Sequence, residues 1–141
     1  MNVLVVGGTG FVGTHLASEL RERGHDVTVL SRSPDDGSVP DGVETAVGDV
    51  TTYDSIEGAF ENRDVVVNLV SLSPLFRPRG GDEMHETVHT GGTQNVIRAA
   101  EAHGVRRIVQ MSALGADSNG ETAFIRSKGR AEELVRASDL D

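Results

Sequence analysis

Short apolar runs alternate along this chain with longer segments in which apolar residues recur at helical spacing. The runs at 2–6, 27–30, 43–47, 64–70 and 107–111 predict five strands, each bounded by glycine or polar residues. Unbroken apolar runs of this length are typical of strands buried on both faces of a parallel sheet. Helices are predicted from residue 11 to 21–24, from 54 or 55 to about 60, after the loop 72–82 as far as Gly104, and over 122–137.

This alternation of strands and helices predicts the fold class. Repeated strand–helix–strand units favour right-handed crossovers and a parallel sheet with helices on both faces. We therefore expect a three-layer α/β sandwich of five parallel strands in the order 3-2-1-4-5. The chain shows no internal repeat, and residues 1–141 are predicted to form one domain.

Composition and charge exclude several classes of function. The 141 residues include 22 acidic and 13 basic side chains, for a net charge of −9, and no cysteine. An acidic surface repels a phosphate backbone, so nucleic acid is not expected as a partner. Thiol chemistry is excluded. No apolar stretch is long enough for membrane insertion, and the amino terminus lacks the pattern of a signal peptide, so a cytoplasmic location is expected.

The basic residues are unusual in kind, since twelve are arginine and Lys128 is the single lysine. An acidic, lysine-poor surface suits concentrated salt and would fit a halophilic source. High-GC codon bias explains the arginine excess equally well, and the sequence does not decide between them.

The segment Gly7-Gly8-Thr9-Gly10-Phe11-Val12-Gly13 joins the first strand to the first helix. The first glycine of this spacing permits a tight turn, the second lets backbone approach a pyrophosphate, and the third allows close helix–sheet packing. The helix N-terminus adds oriented N–H donors. We therefore predict dinucleotide binding by a Rossmann-like fold, with cofactor contacts at Gly7, Thr9, Gly10, Phe11, Val12 and Gly13.

The spacing G-x-x-G-x-x-G resembles the extended and atypical branches of the short-chain dehydrogenase/reductase superfamily. These branches include epimerase/dehydratase-like proteins, NmrA-like proteins and relatives of the NADPH-binding accessory subunit of respiratory complex I. Four later segments agree: Gly48-Asp49-Val50, Asn68-Leu69-Val70-Ser71, Gly92-Thr93-Gln94-Asn95-Val96, and Met111-Ser112-Ala113-Leu114-Gly115-Ala116. The resemblance covers essentially the whole chain and implies that it lacks the C-terminal part of the family fold.

The resemblance also implies roles for particular residues. Asp49 and Val50 would flank the adenine, and Leu69, Val70 and Ser71 would line the nicotinamide side. Ser112 and Lys128 would form a remnant catalytic site, in which Lys128 also binds the nicotinamide ribose.

The second strand ends at Leu30-Ser31-Arg32-Ser33, where an NAD-specific site usually carries a carboxylate. A guanidinium can make forked contacts with a 2′-phosphate, and the next carboxylate in sequence is Asp35. Ser31 and Arg32 therefore predict NADP(H) as cofactor. NAD stays open, because Arg32 could instead be a solvated loop residue.

The catalytic motif departs from the family pattern. The superfamily places a proton-donating Tyr four residues before its Lys, and here Phe124 occupies that slot before Lys128. His89 falls where the central helix of the family carries Asn. We therefore predict an NADP(H)-binding protein without standard Tyr-dependent carbonyl reduction, with a nucleotide-sensing or assembly role. The alternative is an active NAD(P)-dependent oxidoreductase or nucleotide-sugar epimerase-like enzyme. Its small-molecule substrate, and whether the chain joins a homo-oligomer or a larger complex, stay open.

A rival motif overlaps this region. His85-Glu86-Thr87-Val88-His89 matches H-E-x-x-H, in which two His on one helical face bind zinc and Glu activates water. The third ligand slot of one zinc protease class holds Asn95 instead of His. A zinc metalloprotease is therefore kept as a minor alternative, and no metal ligand is assigned.

Overall fold

A computed structural model describes residues 1–34 and 39–141. It contains five strands, β1 (Asn2–Val6), β2 (Asp26–Ser31), β3 (Glu44–Val47), β4 (Val65–Asn68) and β5 (Arg107–Gln110). The predicted strands are confirmed, with ends that differ by at most two residues. Asp35, the nearest acid in the cofactor prediction, lies outside the described residues.

The five strands form one parallel sheet in the order β3-β2-β1-β4-β5, as predicted. β1 lies at its centre, and Val5 is in register with Val29 of β2 and Val67 of β4. The carboxyl ends of β1, β2 and β4 therefore meet at one edge of the sheet, where the loops that follow them share a cleft.

The helices are α1 (Phe11–Glu22), α2 (Tyr53–Ile56), α3 (Glu83–His85), α4 (Gly92–Ala102) and α5 (Ala123–Ala137). Alternate residues of β1 divide the core into two clusters, as the pleat of a strand requires. Val3 and Val5 pack with Ala17 of α1 on one face, while Leu4 and Val6 pack in the cluster that contains Val96 of α4. No helix of the described residues is long and apolar enough to cross a membrane.

Two predicted boundaries were wrong. The second helix begins at Tyr53 and changes to a 3₁₀ turn over Glu57–Phe60. The Ser55 hydroxyl does not cap it, because this hydroxyl bonds the carbonyl oxygens of Asp49 and Thr52. The fourth strand ends at Asn68 instead of residue 70. The Asn68 side-chain oxygen accepts a hydrogen bond from the Val70 N–H at 3.3 Å, which turns the chain away from the sheet.

Residues 83–102 are helical throughout, with a π-helical segment at Glu86–Gly91 between α3 and α4. Such segments within α-helices occur frequently at functional sites. α3 and this segment both pack against α5, and His85 of α3 and His89 of the segment are buried. The segment brings one face of the helical run to the cleft and the other to α5.

Candidate functional site

The glycine turn has the geometry that its spacing predicted. Gly7 has a φ of +80°, and a Cβ there would lie 3.1 Å from the Val70 side chain. A Cβ at Gly13 would lie 2.5 Å from the Gly8 Cα, so helix α1 approaches the turn closely only without one. At Gly10 the nearest such contact is 3.8 Å away, which leaves the backbone open to a ligand. Within the described residues, no side chain caps the N-terminus of α1 and its first turn holds no acid.

A cleft of about 370 Å³ opens at the carboxyl ends of the strands. Ten predicted cofactor residues line it: Gly7, Thr9, Gly10, Ser31, Arg32, Asp49, Val50, Leu69, Val70 and Ser71. Four others do not. Phe11 is 83% exposed and Val12 is also exposed at the start of α1, Gly13 is buried beneath the turn, and Lys128 lies deeper.

Sequence reasoning missed seven further lining residues: Val6, Leu30, Gly48, Thr51, Leu72, Met84 and Val88. Most of them adjoin predicted positions, so strand ends alone could have indicated them. Met84 and Val88 are different, because they reach the cleft from the helical run 83–102. Their four-residue spacing matches one helical face, but this signal is shared by any core helix.

The wall of the cleft beside β2 and β3 is polar and partly exposed. The hydroxyls of Thr9 and Ser31 lie 3.1 Å apart. The Asp49 carboxylate accepts hydrogen bonds from the N–H and the hydroxyl of Thr51, at 2.9 and 2.8 Å. Burial raises the pKa of Asp49, but these bonds and the charge of Arg32 outweigh it, so the pKa is lowered. Asp49 is therefore an anion within electrostatic reach of the Arg32 guanidinium.

The opposite wall rests on a buried polar network around Asn68. Its side-chain nitrogen donates to the Thr93 hydroxyl at 3.3 Å and to the Gln110 side-chain oxygen at 3.0 Å. With its oxygen bonded to the Val70 N–H, the Asn68 side chain joins β4, α4, β5 and the loop 69–72. These bonds define where the loop 69–72 leaves the sheet.

Lys128 is buried between the ends of β4 and β5, with only 2% of its surface exposed. Its Nζ donates to the carbonyl oxygens of Val70 at 3.5 Å and Met111 at 3.4 Å. No carboxylate of the described residues pairs with it. Burial lowers the pKa of Lys128 to about 8. Ser112 follows Met111 in sequence, and its hydroxyl oxygen is buried without a hydrogen-bond partner among the described residues.

Phe124 lies one helical turn before Lys128, and its ring centroid is 6.0 Å from the Lys128 Nζ. The two side chains therefore share a face of α5, as their four-residue spacing and the resemblance to the Tyr–Lys motif of the superfamily predicted. The rings of His85 and His89 lie nearly perpendicular to that of Phe124, with ring centroids 5.7 and 5.4 Å away. A phenyl ring carries no acidic proton that it could donate to a substrate.

The H-E-x-x-H motif does not form a zinc site. Glu86 pairs with Arg130 at 2.9 Å on the outside of the helical run. Both ring nitrogens of His89 make hydrogen bonds within the protein, to Leu72 and Ser127. In the described parts of the chain, no group of three or more His, Asp or Glu side chains could hold a metal ion.

Comparison with known proteins supports a nucleotide-binding cleft. A family model described as NAD(P)H-binding matches residues 7–141. A 3-beta-hydroxysteroid dehydrogenase of Mycolicibacterium neoaurum is 33% identical over 114 residues, 76% of this chain and 30% of that protein. A 3-diazoavenalumate denitrifying reductase of a Streptomyces species is 30% identical in an alignment that covers 99% of this chain and 53% of that protein.

The chain is also similar to solved structures of nucleotide-binding proteins. The UDP-glucose 4-epimerase of Thermus thermophilus, in complex with NAD, is 25% identical with a TM-score of 0.81. The match covers 99% of this chain and 52% of that one. The chain thus spans between about a third and about half of the length of the relatives named here.

Proposed function

The chain belongs to the NAD(P)H-binding family and to the extended branch of the short-chain dehydrogenase/reductase superfamily. On that premise we propose that it binds NADP(H) and does not carry out Tyr-dependent carbonyl reduction. The observation that carries this proposal is the single cleft in which the glycine turn, Arg32 and the loop 69–72 meet. Its role would be to sense the nucleotide or to support an assembly.

The residues of the cleft fit a dinucleotide from end to end. The backbone from Gly7 to Val12 and the uncapped N-terminus of α1 would hold the pyrophosphate. Asp49 and Val50 would flank the adenine, and the loop Leu69–Ser71 would face the nicotinamide. A bound nicotinamide supplies hydride chemistry, and the protein supplies orientation and electrostatics. The open backbone at Gly10 supports this assignment, because a side chain there would occupy the approach of the phosphates.

Arg32 is the basis for NADP(H) over NAD(H). It is exposed, it lines the cleft beside Ser31, and no acid occupies the adjacent end of β2. Its guanidinium could donate two hydrogen bonds to a 2′-phosphate while Ser31 donates a third. Asp49 would then share Arg32 with the phosphate, so the carboxylate moderates the preference.

Phe124 is the basis for the absence of standard reduction. Of the four groups that the family pattern supplies, Ser112 and Lys128 are retained, while Phe124 replaces the proton donor and His89 replaces the Asn. Lys128 could still donate to the nicotinamide ribose, and Ser112 could still donate to a carbonyl oxygen.

The second candidate is an active oxidoreductase or a nucleotide-sugar epimerase-like enzyme with altered proton transfer. The Ser112 hydroxyl favours it, because its buried oxygen has no hydrogen-bond partner in the described part of the chain, and a catalytic role is one explanation for such a group. The names of the relatives, which are dehydrogenases, reductases and epimerases, agree with this candidate.

The test of cofactor binding is a titration with NADPH and with NADH that follows nicotinamide emission, since the chain has no Trp. Low and molar salt are both used because the acidic composition fits a halophilic protein. We expect tighter binding of NADPH, and loss of this preference in Arg32→Ala. Arg79→Ala, in the exposed loop, is the matched control. Failure of folded protein to bind either nucleotide would contradict the proposal.

Phe124→Tyr separates the two candidates. If the chain only binds the nucleotide, wild type and Phe124→Tyr are both inactive toward a panel of aldehydes and ketones with NADPH. Activity that appears only in Phe124→Tyr identifies a degenerate enzyme, and activity of the wild type favours the second candidate.

A further inference from the structure

His89 connects two elements that meet at the inner end of the cleft. Its Nε2 accepts a hydrogen bond from the Leu72 N–H at 2.8 Å, and its Nδ1 lies 2.8 Å from the Ser127 hydroxyl of α5. The side chain is 2% exposed. The imidazole therefore spans the space between the loop 69–72, which lines the cleft, and the helix that carries Lys128.

The hydrogen-bond network fixes the tautomer of this ring. A backbone N–H can only donate, so the Nε2 that accepts from Leu72 carries no proton. The proton is then on Nδ1 and is donated to Ser127, whose own hydroxyl donates to the Phe124 carbonyl at 2.9 Å. Burial, with the charges of Lys128 and His85, lowers the pKa of His89 to about 3. The ring is neutral, and its single donor and single acceptor are both used.

A second link joins the same two elements. The Lys128 Nζ donates to the Val70 carbonyl, so the loop is bonded to α5 at Val70 directly and at Leu72 through His89. Val70 also packs against the glycine turn, where a Cβ on Gly7 would meet its side chain. The position of this loop therefore sets the width of the cleft between Gly7 and Val70.

We propose that His89 is a positioning residue for the nicotinamide half of the dinucleotide, because its ring bonds Leu72 to Ser127 and so holds the loop 69–72 and Lys128 in one arrangement. This inference rests on the proposed function. It predicts that loss of His89 weakens contacts on the nicotinamide side and leaves those of the adenine half intact.

The experiment compares two ligands on the same variants by calorimetry. NADPH spans the whole cleft, whereas 2′,5′-ADP contains only the adenine half with its 2′-phosphate. His89→Phe keeps a planar ring but has neither donor nor acceptor, so it leaves the Leu72 N–H without its acceptor and removes the bond from Nδ1 to the Ser127 hydroxyl. We expect it to raise the Kd of NADPH about tenfold and to change the Kd of 2′,5′-ADP by less than about twofold.

Two further variants isolate the bond to the loop. In His89→Gln the amide oxygen can accept from the Leu72 N–H, and we expect NADPH affinity within about threefold of wild type. Thr90→Val is the matched control. Thr90 donates to the Ser127 carbonyl at 3.2 Å and so contacts α5 without touching the loop. We expect it to leave both affinities unchanged.

The outcomes distinguish this inference from the function on which it rests. If the wild type binds neither NADPH nor 2′,5′-ADP, the proposed function is wrong. If it binds both, and His89→Phe weakens both equally or neither, the positioning role is wrong and the function stands. Should His89→Phe fail to fold, His89→Gln and the ¹⁵N shifts of the wild-type imidazole decide. Protonation at Nε2, or a tenfold loss of NADPH affinity in His89→Gln, would overturn the inference.

Discussion

The two ends of the cleft are built in different ways. At the outer end, the glycine turn and the loops after β2 and β3 present backbone groups and the exposed side chains of Arg32 and Asp49. The inner end contains three buried polar side chains, those of Asn68, His89 and Lys128. Each makes a hydrogen bond to a group on another element, and together these bonds connect β4, β5 and α5.

This difference separates capture of a ligand from its placement. Exposed charges and free N–H groups attract an anionic ligand but fix its orientation weakly, because solvent and salt screen them. Buried polar groups that already have partners lose little entropy when a ligand arrives, so they can hold a reacting ring in one geometry. We therefore expect the outer end to supply most of the affinity and the inner end to supply orientation.

The largest effect is expected from Gly13→Ala at the outer end. The added Cβ would lie 2.5 Å from the Gly8 backbone, so α1 must move away from the turn that it supports. We expect a loss of about 2 kcal/mol in the free energy of unfolding, as is usual for an overpacked core, measured by chemical denaturation. NADPH affinity should fall about a hundredfold, because the displaced N–H groups no longer converge on the phosphates.

Gly58→Ala provides the control, because a Cβ built there would meet no other part of the described chain within 4 Å. It should leave stability and affinity nearly unchanged. Equal losses of stability and NADPH affinity in the two variants would show that any glycine-to-alanine change has this effect. The close contact between Gly13 and the glycine turn would then not be its cause.

At the inner end, Lys128→Met should lower NADPH affinity about tenfold, the usual size of a lost hydrogen bond to a charged group. It should also change how stability depends on pH. Burial lowers the pKa of Lys128 from 10.5 to about 8, so between these values the unfolded chain holds a proton that the folded chain has released. The stability of wild type relative to Lys128→Met should therefore rise as the pH increases from about 8 to about 10.5.

Denaturation of both proteins across this range measures the difference. If the free energies of unfolding of the two proteins change with pH in parallel, burial does not destabilise the charged form of Lys128. Tighter binding of NADPH by Lys128→Met would exclude this side chain from contact with the nicotinamide half.

The smallest effect is a difference in salt response. The contribution of Arg32, measured as the ratio of NADPH affinities of wild type and Arg32→Ala, should fall about threefold between 0.1 and 1 M salt because the guanidinium is exposed. The corresponding ratio for Lys128→Met should stay constant, since buried charges are screened much less. Identical salt responses would remove the distinction between the two ends of the cleft.

The outer end could be predicted from sequence because its signals are local. Gly7, Gly10 and Gly13 follow one another at fixed spacing between a strand and a helix, and parallel strands place their carboxyl ends together. Strand order and the residues at strand ends follow from the same rules. Seven of the ten predicted cofactor residues that line the cleft accordingly belong to this end.

The inner end could not be predicted in this way. The bond from Leu72 to His89 joins residues 17 positions apart, and that from His89 to Ser127 joins residues 38 apart. From sequence alone, His85 and His89 were interpreted as polar residues beside a cofactor or substrate loop, with zinc ligands as a minor alternative. Their burial against Phe124 depends on the π-helical segment and on the docking of α5, neither of which has a local signature.

The sequence by itself determined the alternation of elements, the parallel sheet and the position of the glycine turn, because strand and helix periods and glycine spacing are properties of neighbouring residues. Only the tertiary structure decided which polar side chains are buried, what each one bonds and how burial lowers the pKa of Lys128 and His89. Those properties depend on distances between segments remote in sequence and on the exclusion of water from the space between them.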